Sequence, residues 1–399
     1  MKNKEILIIS ECFYPEEFKI NELALFWKDQ GFEISVLTLN PTYPKGEILR
    51  GYKNKLFQKE VYKGIKIYRV YAITGYTESV FKKILKYLCF MFLASIFSLF
   101  LGKRCNYVFG YNIGALTDML PAVIVKKIYR KPLMLWVQDI WPDSIYAYGF
   151  KENRINSFFL NIFVKFIYSN VTKFGISGKG FASKLKYFSR SKEDFYYLPN
   201  WADPIDASQK SVSLSIEKKV QFTFAGNIGK VQNLENIINA FISLKDEYQR
   251  RSQLNIIGDG SNLENLKDIS IRNKNIIYHG KIQRDKMSGY YSSSDFLIVS
   301  LIDKPIFQVT VPAKIQTYIA NKKPILGVIK GDSADLISQN KLGLCVDPAN
   351  IDLIREALEK CINMTEKDKL NFTKNSENLL NGLFNKNKIM REVTNILTN

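Results

Sequence analysis

The sequence predicts an α/β protein of two doubly wound, Rossmann-like domains, and three observations carry that prediction. The chain has 399 residues, more than one hydrophobic core usually organises. Apolar runs of strand length alternate with amphipathic stretches of helix length through both halves. Residues 199–218 break both periodicities, opening on Pro199-Asn200-Trp201-Ala202-Asp203-Pro204 and continuing rich in Ser and Lys, as a linker does. With 46% of residues apolar, each half can fill a core of its own.

In the first half, residues 1–198, strand-length runs fall at 5–10, 33–38, 66–70, 107–110, 133–137 and 173–176. In the second, residues 219–385, they fall at 221–225, 253–257, 276–278, 296–300, 325–328 and 343–346. Strands separated by helical periods make parallel sheets covered on both faces. Residues 386–399 read as a final helix. Open parallel sheets bind ligands outside the carboxyl ends of their strands, so two such domains predict a cleft between them.

Residues 79–104 stand apart. Tyr87 to Leu101 is an apolar run flanked by Lys82, Lys83 and Lys86 on one side and by Lys103 and Arg104 on the other. The uninterrupted run is shorter than the roughly 20 residues of a spanning helix. Spanning would also divide the first sheet between two sides of a membrane. The main readings left open are a buried helix or a helix at the membrane interface with its basic flanks on anionic headgroups, with a re-entrant or spanning segment as a third. The run shows almost no polar face, which favours the interface.

The formal charge of +19 asks for an anionic partner. Zinc-finger spacing, RNP-like aromatics and a basic heptad region are all missing, which argues against nucleic acid and leaves an anionic membrane surface or phosphorylated substrates. Five cysteines without C-x-x-C spacing and a single histidine, His279, argue against disulfide and metal frameworks. The opening residues lack a leader-like pattern, so the expected location is the cytoplasm, peripheral on the inner face of the cell membrane.

The first strand runs into Glu11-Cys-Phe-Tyr-Pro-Glu-Glu17-Phe-Lys-Ile-Asn21-Glu-Leu-Ala24, which places a loop and a helix start at the ligand edge. It carries no G-x-G-x-x-G, so dinucleotide chemistry loses its main support. After the second strand comes Asn40-Pro-Thr-Tyr-Pro-Lys-Gly-Glu-Ile-Leu-Arg-Gly-Tyr52, rich in turn residues and aromatics. A later strand ends in Trp136-Val-Gln138-Asp139-Ile-Trp141-Pro-Asp143-Ser144. Aromatic rings beside carboxylates suit a sugar, since rings pack on C–H faces and carboxylates accept from hydroxyls. The same residues also read as a strand with core tryptophans and a helix-capping Asp143.

Together these three stretches resemble the WbuB-like branch of the family-4 glycosyltransferases. That branch typically shows F-x-P-E-x-F-R-I-N-D-L-A, then P-N-Y-P-x-G-x-I-x-x-G-Y, then W-V-Q-D-L-W-P-E-S, in the order found here. In the second half, Phe224-Ala-Gly226-Asn227-Ile-Gly229-Lys230-Val-Gln232-Asn-Leu234 is similar to the branch's A-G-N-I-G-x-x-Q-x-L. Such glycines let backbone N–H groups approach a diphosphate. The resemblance covers nearly the whole chain. It implies the GT-B fold, two Rossmann-like domains facing across a cleft, with the last helix crossing back to the first domain.

The resemblance also implies a retaining transfer from a nucleotide-sugar donor, a UDP-linked sugar such as N-acetyl-L-fucosamine, to a polyprenyl-diphosphate-linked glycan in bacterial O-antigen or capsule synthesis. No cofactor or metal is expected beyond the UDP-sugar itself. Gly226, Asn227, Gly229, Lys230 and Gln232 are the expected diphosphate turn, with Gly258, Asp259 and Lys281 on the next strand ends. His279 reads as structural there. Val311-Pro-Ala-Lys314-Ile-Gln316-Thr317-Tyr-Ile-Ala320 opens a helix that aims Lys314 at an anionic phosphate, with Gln316 and Thr317 near other donor atoms. Asp139 and Glu17 are the catalytic candidates; Asn21, Gln138 and Trp141 are expected on the acceptor and sugar.

The chain departs from the family at definite places. The usual E-x7-E falls on Val309 and Thr317, and a usual Arg and Lys fall on Asn227 and Gln232. Lys230 and Lys314 then have to supply the positive charge. Two other readings share the architecture: a UDP-sugar 2-epimerase, which needs no membrane, and a catalytically silent membrane subunit, which binds no donor.

Overall fold

A computed structural model describes residues 4–147, 153–189, 195–203, 212, 214 and 219–399. They form two compact units, Met1–Pro199 with Ile389–Asn399, and Asn200–Lys388. Most of the stretch expected as a linker, at 204–211, 213 and 215–218, lies outside the described residues.

The first unit is built on β1 (Glu5–Ile9), β2 (Glu33–Leu39), β3 (Phe57–Tyr62), β4 (Ile65–Val70), β5 (Tyr107–Asn112), β6 (Leu133–Val137), β7 (Lys173–Ile176) and β8 (Phe195–Tyr197). Their order across the sheet is β3-β4-β2-β1-β5-β6-β7-β8. All pairs are parallel except β3 with β4. The central strands are buried on both faces, which is why they read as unbroken apolar runs. Two strands were not expected from the sequence. In β3 the residues alternate between exposed and half-buried, and it joins β4 through Lys63 and Gly64, both at positive φ (47° and 79°), as a two-residue hairpin requires. β8 has only three residues at the sheet's edge.

Helix α1 (Lys19–Asp29) buries Ile20, Leu23, Ala24 and Trp27, the i, i+3, i+4, i+7 stripe that seats a helix on a sheet. The final helix, Lys386–Thr398, belongs to this unit from Ile389 onward. Its Thr394 hydroxyl accepts from the Trp27 indole at 2.8 Å, and its Ile396 carbonyl accepts from Lys173 at 2.8 Å.

The second unit carries β9 (Val220–Ala225), β10 (Ser252–Ile257), β11 (Ile276–Gly280), β12 (Phe296–Ser300), β13 (Ile325–Val328) and β14 (Gly343–Val346) in the order β11-β10-β9-β12-β13-β14. Every pair is parallel. Phe222, Phe224, Leu254, Ile256 and Ile298 form its core with the helix faces. In each unit the strand order reverses beside the first strand, between β1 and β5 and between β9 and β12. Loops leaving those strands flank a crevice that ligands of doubly wound sheets occupy.

Candidate active site

In the second unit the loops after β9, β10 and β11 are zipped together by backbone. Gly226 N–H donates to the Ile257 carbonyl at 2.9 Å, Ile228 N–H to Asp259 at 2.8 Å, and Gly258 N–H to Gly280 at 2.8 Å. This closeness requires glycine at Gly258: φ is +136°, and a Cβ there would lie 1.9 Å from the Gly226 oxygen. Gly226, also at +136°, leaves room for the Lys314 stem, which a Cβ would meet at 2.6 Å.

Lys314 enters this nest from the first turn of the helix Ala313–Ala320, whose N-cap is Pro312. Its ammonium lies 3.6 Å from the centre of the Phe224 ring and donates to the Gln232 amide oxygen at 3.0 Å. Burial lowers its pKa to about 7. Lys314, Gln232, Gly226 and Gly258 are thus gathered at one place. Asn227, Lys230, Asp259 and Lys281 stand exposed on the same set of loops, and Gly229 is half-buried between them.

Gln316 and Thr317 are placed differently from the sequence expectation. The Gln316 side chain is buried and its amide nitrogen faces the Pro312 and Ala313 carbonyls. The Thr317 hydroxyl donates to the Ala313 carbonyl at 3.2 Å. Both turn back on their own helix because its first carbonyls lie within reach. His279 shares a hydrogen bond of 2.9 Å with Asn255 and sits edge-on to Tyr290, and burial lowers its pKa. A group that sequence reasoning missed lies on the ends of β12, β13 and β14: Lys330 bridges Asp303 at 2.6 Å and Asp347 at 2.9 Å.

In the first unit the loop between β1 and α1 is held from within by Glu16, while the neighbouring Glu17 is exposed. One Glu16 oxygen accepts from the Thr42 N–H at 2.9 Å and the Tyr43 N–H at 2.7 Å. Burial raises its pKa despite those bonds. Asn21 donates to the Glu16 carbonyl at 2.6 Å, and its own Oδ1 is buried without a partner. Glu16 therefore ties two of the three recognised stretches together, a role a run of two glutamates conceals in sequence.

Asp139 and Gln138 follow β6 at the ligand edge; the Gln138 N–H donates to the Asn112 carbonyl at 2.9 Å. Burial raises the Asp139 pKa to about 6. Of the two tryptophans here, Trp136 is core, its indole donating to the Leu198 carbonyl at 2.9 Å, while Trp141 lines a pocket with Asp139. Asp143 opens the short helix at Asp143–Ala147 and pairs with Lys184.

That pocket, of about 610 Å³, is mostly apolar. One wall is α2 (Val80–Gly102) and another is the helix Arg154–Tyr168. The faces of α2 are inverted relative to a water-soluble helix. It buries Lys86, Phe90, Ala94, Ser98 and Gly102, and exposes Phe81, Leu85, Leu88, Phe92, Ile96 and Phe100. Small residues permit close packing, as at Gly102, where a Cβ would meet Val125 at 2.6 Å. Lys86 pairs with Glu11 inside the unit, and Glu11 is in turn hydrogen bonded to Asp118. Among the described residues α2 is the one helix long and apolar enough to cross a membrane, with a mean hydropathy of 2.1.

Solved structures with the same arrangement cover 99% of this chain. They include Anabaena Alr3699/HepE in complex with UDP and glucose (TM-score 0.69, 11% identity, 100% of that chain) and sucrose-phosphate synthase from Thermosynechococcus elongatus (0.73, 13%, 98%). The fold is GT-B. A further GT-B neighbour, an E. coli trehalose-6-phosphate protein bound with UDP-2-fluoro glucose, has a TM-score of 0.74 at 10% identity, covering 99% of both chains. At these identities the likeness speaks for the fold alone.

Residues 206–379 match the family model described as Glycosyl transferases group 1. Among curated relatives, the chain is 26% identical over 208 residues to one named glycosyltransferase WbjE, of Pseudomonas aeruginosa, covering 49% of this chain and 51% of that protein. It is 23% identical over 263 residues to one named colanic acid biosynthesis glycosyl transferase WcaI, of Escherichia coli K12, covering 61% and 63%. The matched region thus spans about half the length of WbjE and less than two thirds of WcaI.

Proposed function

We propose that this protein is a retaining glycosyltransferase that takes a sugar, an N-acetylated hexose, from a UDP-sugar. The acceptor in this reading is a polyprenyl-diphosphate-linked glycan at the inner face of a bacterial membrane, for O-antigen or capsule synthesis. The observation that carries the donor half is Lys314. Its ammonium is buried against Phe224 with an amide as its hydrogen-bond partner, beside a glycine nest and a helix N-terminus. A buried cation without a countercharge is costly alone and stabilised by an arriving diphosphate. The group 1 match over the same residues and the UDP held by fold neighbours support a UDP-sugar there.

In the transfer, an acceptor hydroxyl oxygen bonds to the anomeric carbon while the bond from that carbon to the UDP oxygen breaks. The electron pair leaves with the diphosphate, and the hydroxyl proton passes to the departing oxygen on the same face. Lys314, Lys230 and the Gly226 to Gly229 turn stabilise the developing charge, and Asp139 orients the acceptor. The likeness to WcaI, named for colanic acid biosynthesis, supports a place in polysaccharide assembly.

Calorimetric titration with UDP, GDP and ADP tests this reading, repeated on Lys314→Ala. It expects UDP to bind and the variant to bind more weakly. Absence of binding by all three nucleotides would overturn it in favour of a silent subunit. UDP-sugar converted without any acceptor would favour the epimerase.

A further inference from the structure

α5 (Arg154–Tyr168), which follows the packed α3 (Leu120–Tyr129) and the short α4 (Asp143–Ala147), also turns an apolar stripe outward, although its inward face is apolar as well. It buries Val164, Ile167 and Tyr168 and exposes Ile155, Phe158, Phe159, Ile162 and Phe166 at the 3–4 spacing of one helical stripe. Phe81 and Phe100 on α2 are 74% and 71% exposed, and Ile155 on α5 is 71% exposed. Two apolar stripes exposed to this degree mark an interaction site.

The charges around the two stripes say which kind. Lys82 and Lys83 stand exposed at the start of α2, and Lys103 and Arg104 just past its end. Arg154 begins α5, Lys165 lies in its last turn, and the Lys127 ammonium lies 5.2 Å from the Phe166 ring centre. Apolar stripes bounded by cations match an anionic bilayer, where rings enter the acyl boundary and ammonium groups meet headgroups.

The gap between the helices is the pocket already described. Ile84 and Leu88 of α2 and Phe159 and Leu160 of α5 line its sides, and Asp139 and Trp141 lie at the carboxyl edge of β6. One apolar passage therefore joins the exposed stripes to the ligand edge of the sheet. An acceptor free in water has no need of such an entrance. An amphiphile whose chain starts in the bilayer and whose polar head ends at Asp139 does.

We propose that the hydrocarbon chain of the lipid-linked acceptor enters between α2 and α5, while both stripes rest in the anionic bilayer that holds it. This rests on the transferase reading above and adds to it a second membrane helix and a route for the lipid.

The test uses the full chain on phosphatidylcholine vesicles containing phosphatidylglycerol and a diazirine-tagged polyprenyl diphosphate, with irradiation and peptide mapping. Cross-links are expected at Ile84, Leu88, Phe159 and Leu160. They fall roughly tenfold in Leu88→Trp/Leu160→Trp, which fills the passage, while vesicle and UDP binding persist. If that variant misfolds by circular dichroism, Ile84→Trp alone is used. Cross-links spread evenly along both stripes and indifferent to the tryptophans would overturn the proposal. So would a stable dimer that ignores vesicles, since a second copy would then cover this face. UDP binding in the same samples separates the outcomes: its loss removes the transferase reading and leaves the cross-link map to stand or fall by itself.

Discussion

Lys86 of α2 and Glu11, in the loop after β1, form an ion pair buried inside the first domain. Burial on its own depresses the lysine's pKa, and Glu11, with the centre of the Tyr76 ring 3.9 Å from the ammonium, overrides it and holds the charge. Burial and then Glu11 push the Asp118 carboxyl well above the ordinary range. The pair pins an apolar helix to the loop at the ligand edge.

Lys86→Met leaves Glu11 charged and buried without a cation. Losing one partner of such a pair costs about 3–5 kcal/mol. Thermal unfolding should show a clear drop in Tm, and Lys86→Met/Glu11→Gln should recover most of it. A single variant as stable as the parent would mean that the pair does not hold α2.

With its pKa near 7 in the free protein, Lys314 should take up a proton when UDP arrives. Uptake approaches one per nucleotide at pH 8, where the free lysine is mostly neutral, and vanishes below pH 6, where it is already charged. Calorimetry at pH 8 in buffers of different ionisation enthalpy measures this, and Lys314→Gln should abolish it. Stability has the opposite tie. A lysine whose pKa drops on folding binds fewer protons folded than unfolded, so its contribution improves as pH rises from about 7 towards 10.5. Lys314→Met should therefore stabilise the protein at pH 7 by about 2–4 kcal/mol while removing UDP binding.

Asp139, lifted to about 6 by burial, predicts an acid limb in the rate of transfer. Activity rises through pH 6 as the carboxylate forms, and Asp139→Asn lowers kcat and flattens the limb. A limb that persists near pH 6 in the variant would assign the titration elsewhere.

Gly258→Ala drives a Cβ into the Gly226 oxygen and should separate the zipped loops. UDP affinity is expected to fall at least about tenfold, with a loss of roughly 1–3 kcal/mol in stability. Gly31→Ala, where the Cβ meets open space at φ +88°, is the control for backbone strain alone.

Among the described residues, no three His, Cys, Asp or Glu side chains are placed to share a metal ion. In the proposed transfer Lys314 supplies the charge at the diphosphate, so activity should survive EDTA. Loss of activity restored by Mg²⁺ would contradict this.

The fold was largely legible because central parallel strands are buried on both sides, as at Leu133–Val137 and Phe296–Ser300, and so stand out as apolar runs. The β3–β4 hairpin was not read, although Lys63-Gly64 between two alternating runs carried its signal. Lys314 and the glycines stood in a local motif and were visible. Glu11 with Lys86 and Asp303 with Lys330 lie far apart in sequence, and only the folded chain brings them together. The stripe on α5 was hidden for another reason: a helix apolar on most sides shows its outward face only once its inward one is known.

Trp27 donates to Thr394, and Ile389, Met390 and Val393 are buried in the first domain, although residues 389–399 are made after the whole second domain. At ~5–20 residues per second, ribosomes need roughly 10–40 seconds to cross the residues in between. For that time the nascent first domain has an open seam beside Trp27, with the apolar helices already synthesised. Early delivery to a membrane or shielding by a chaperone would be decided in that interval, before the chain is whole.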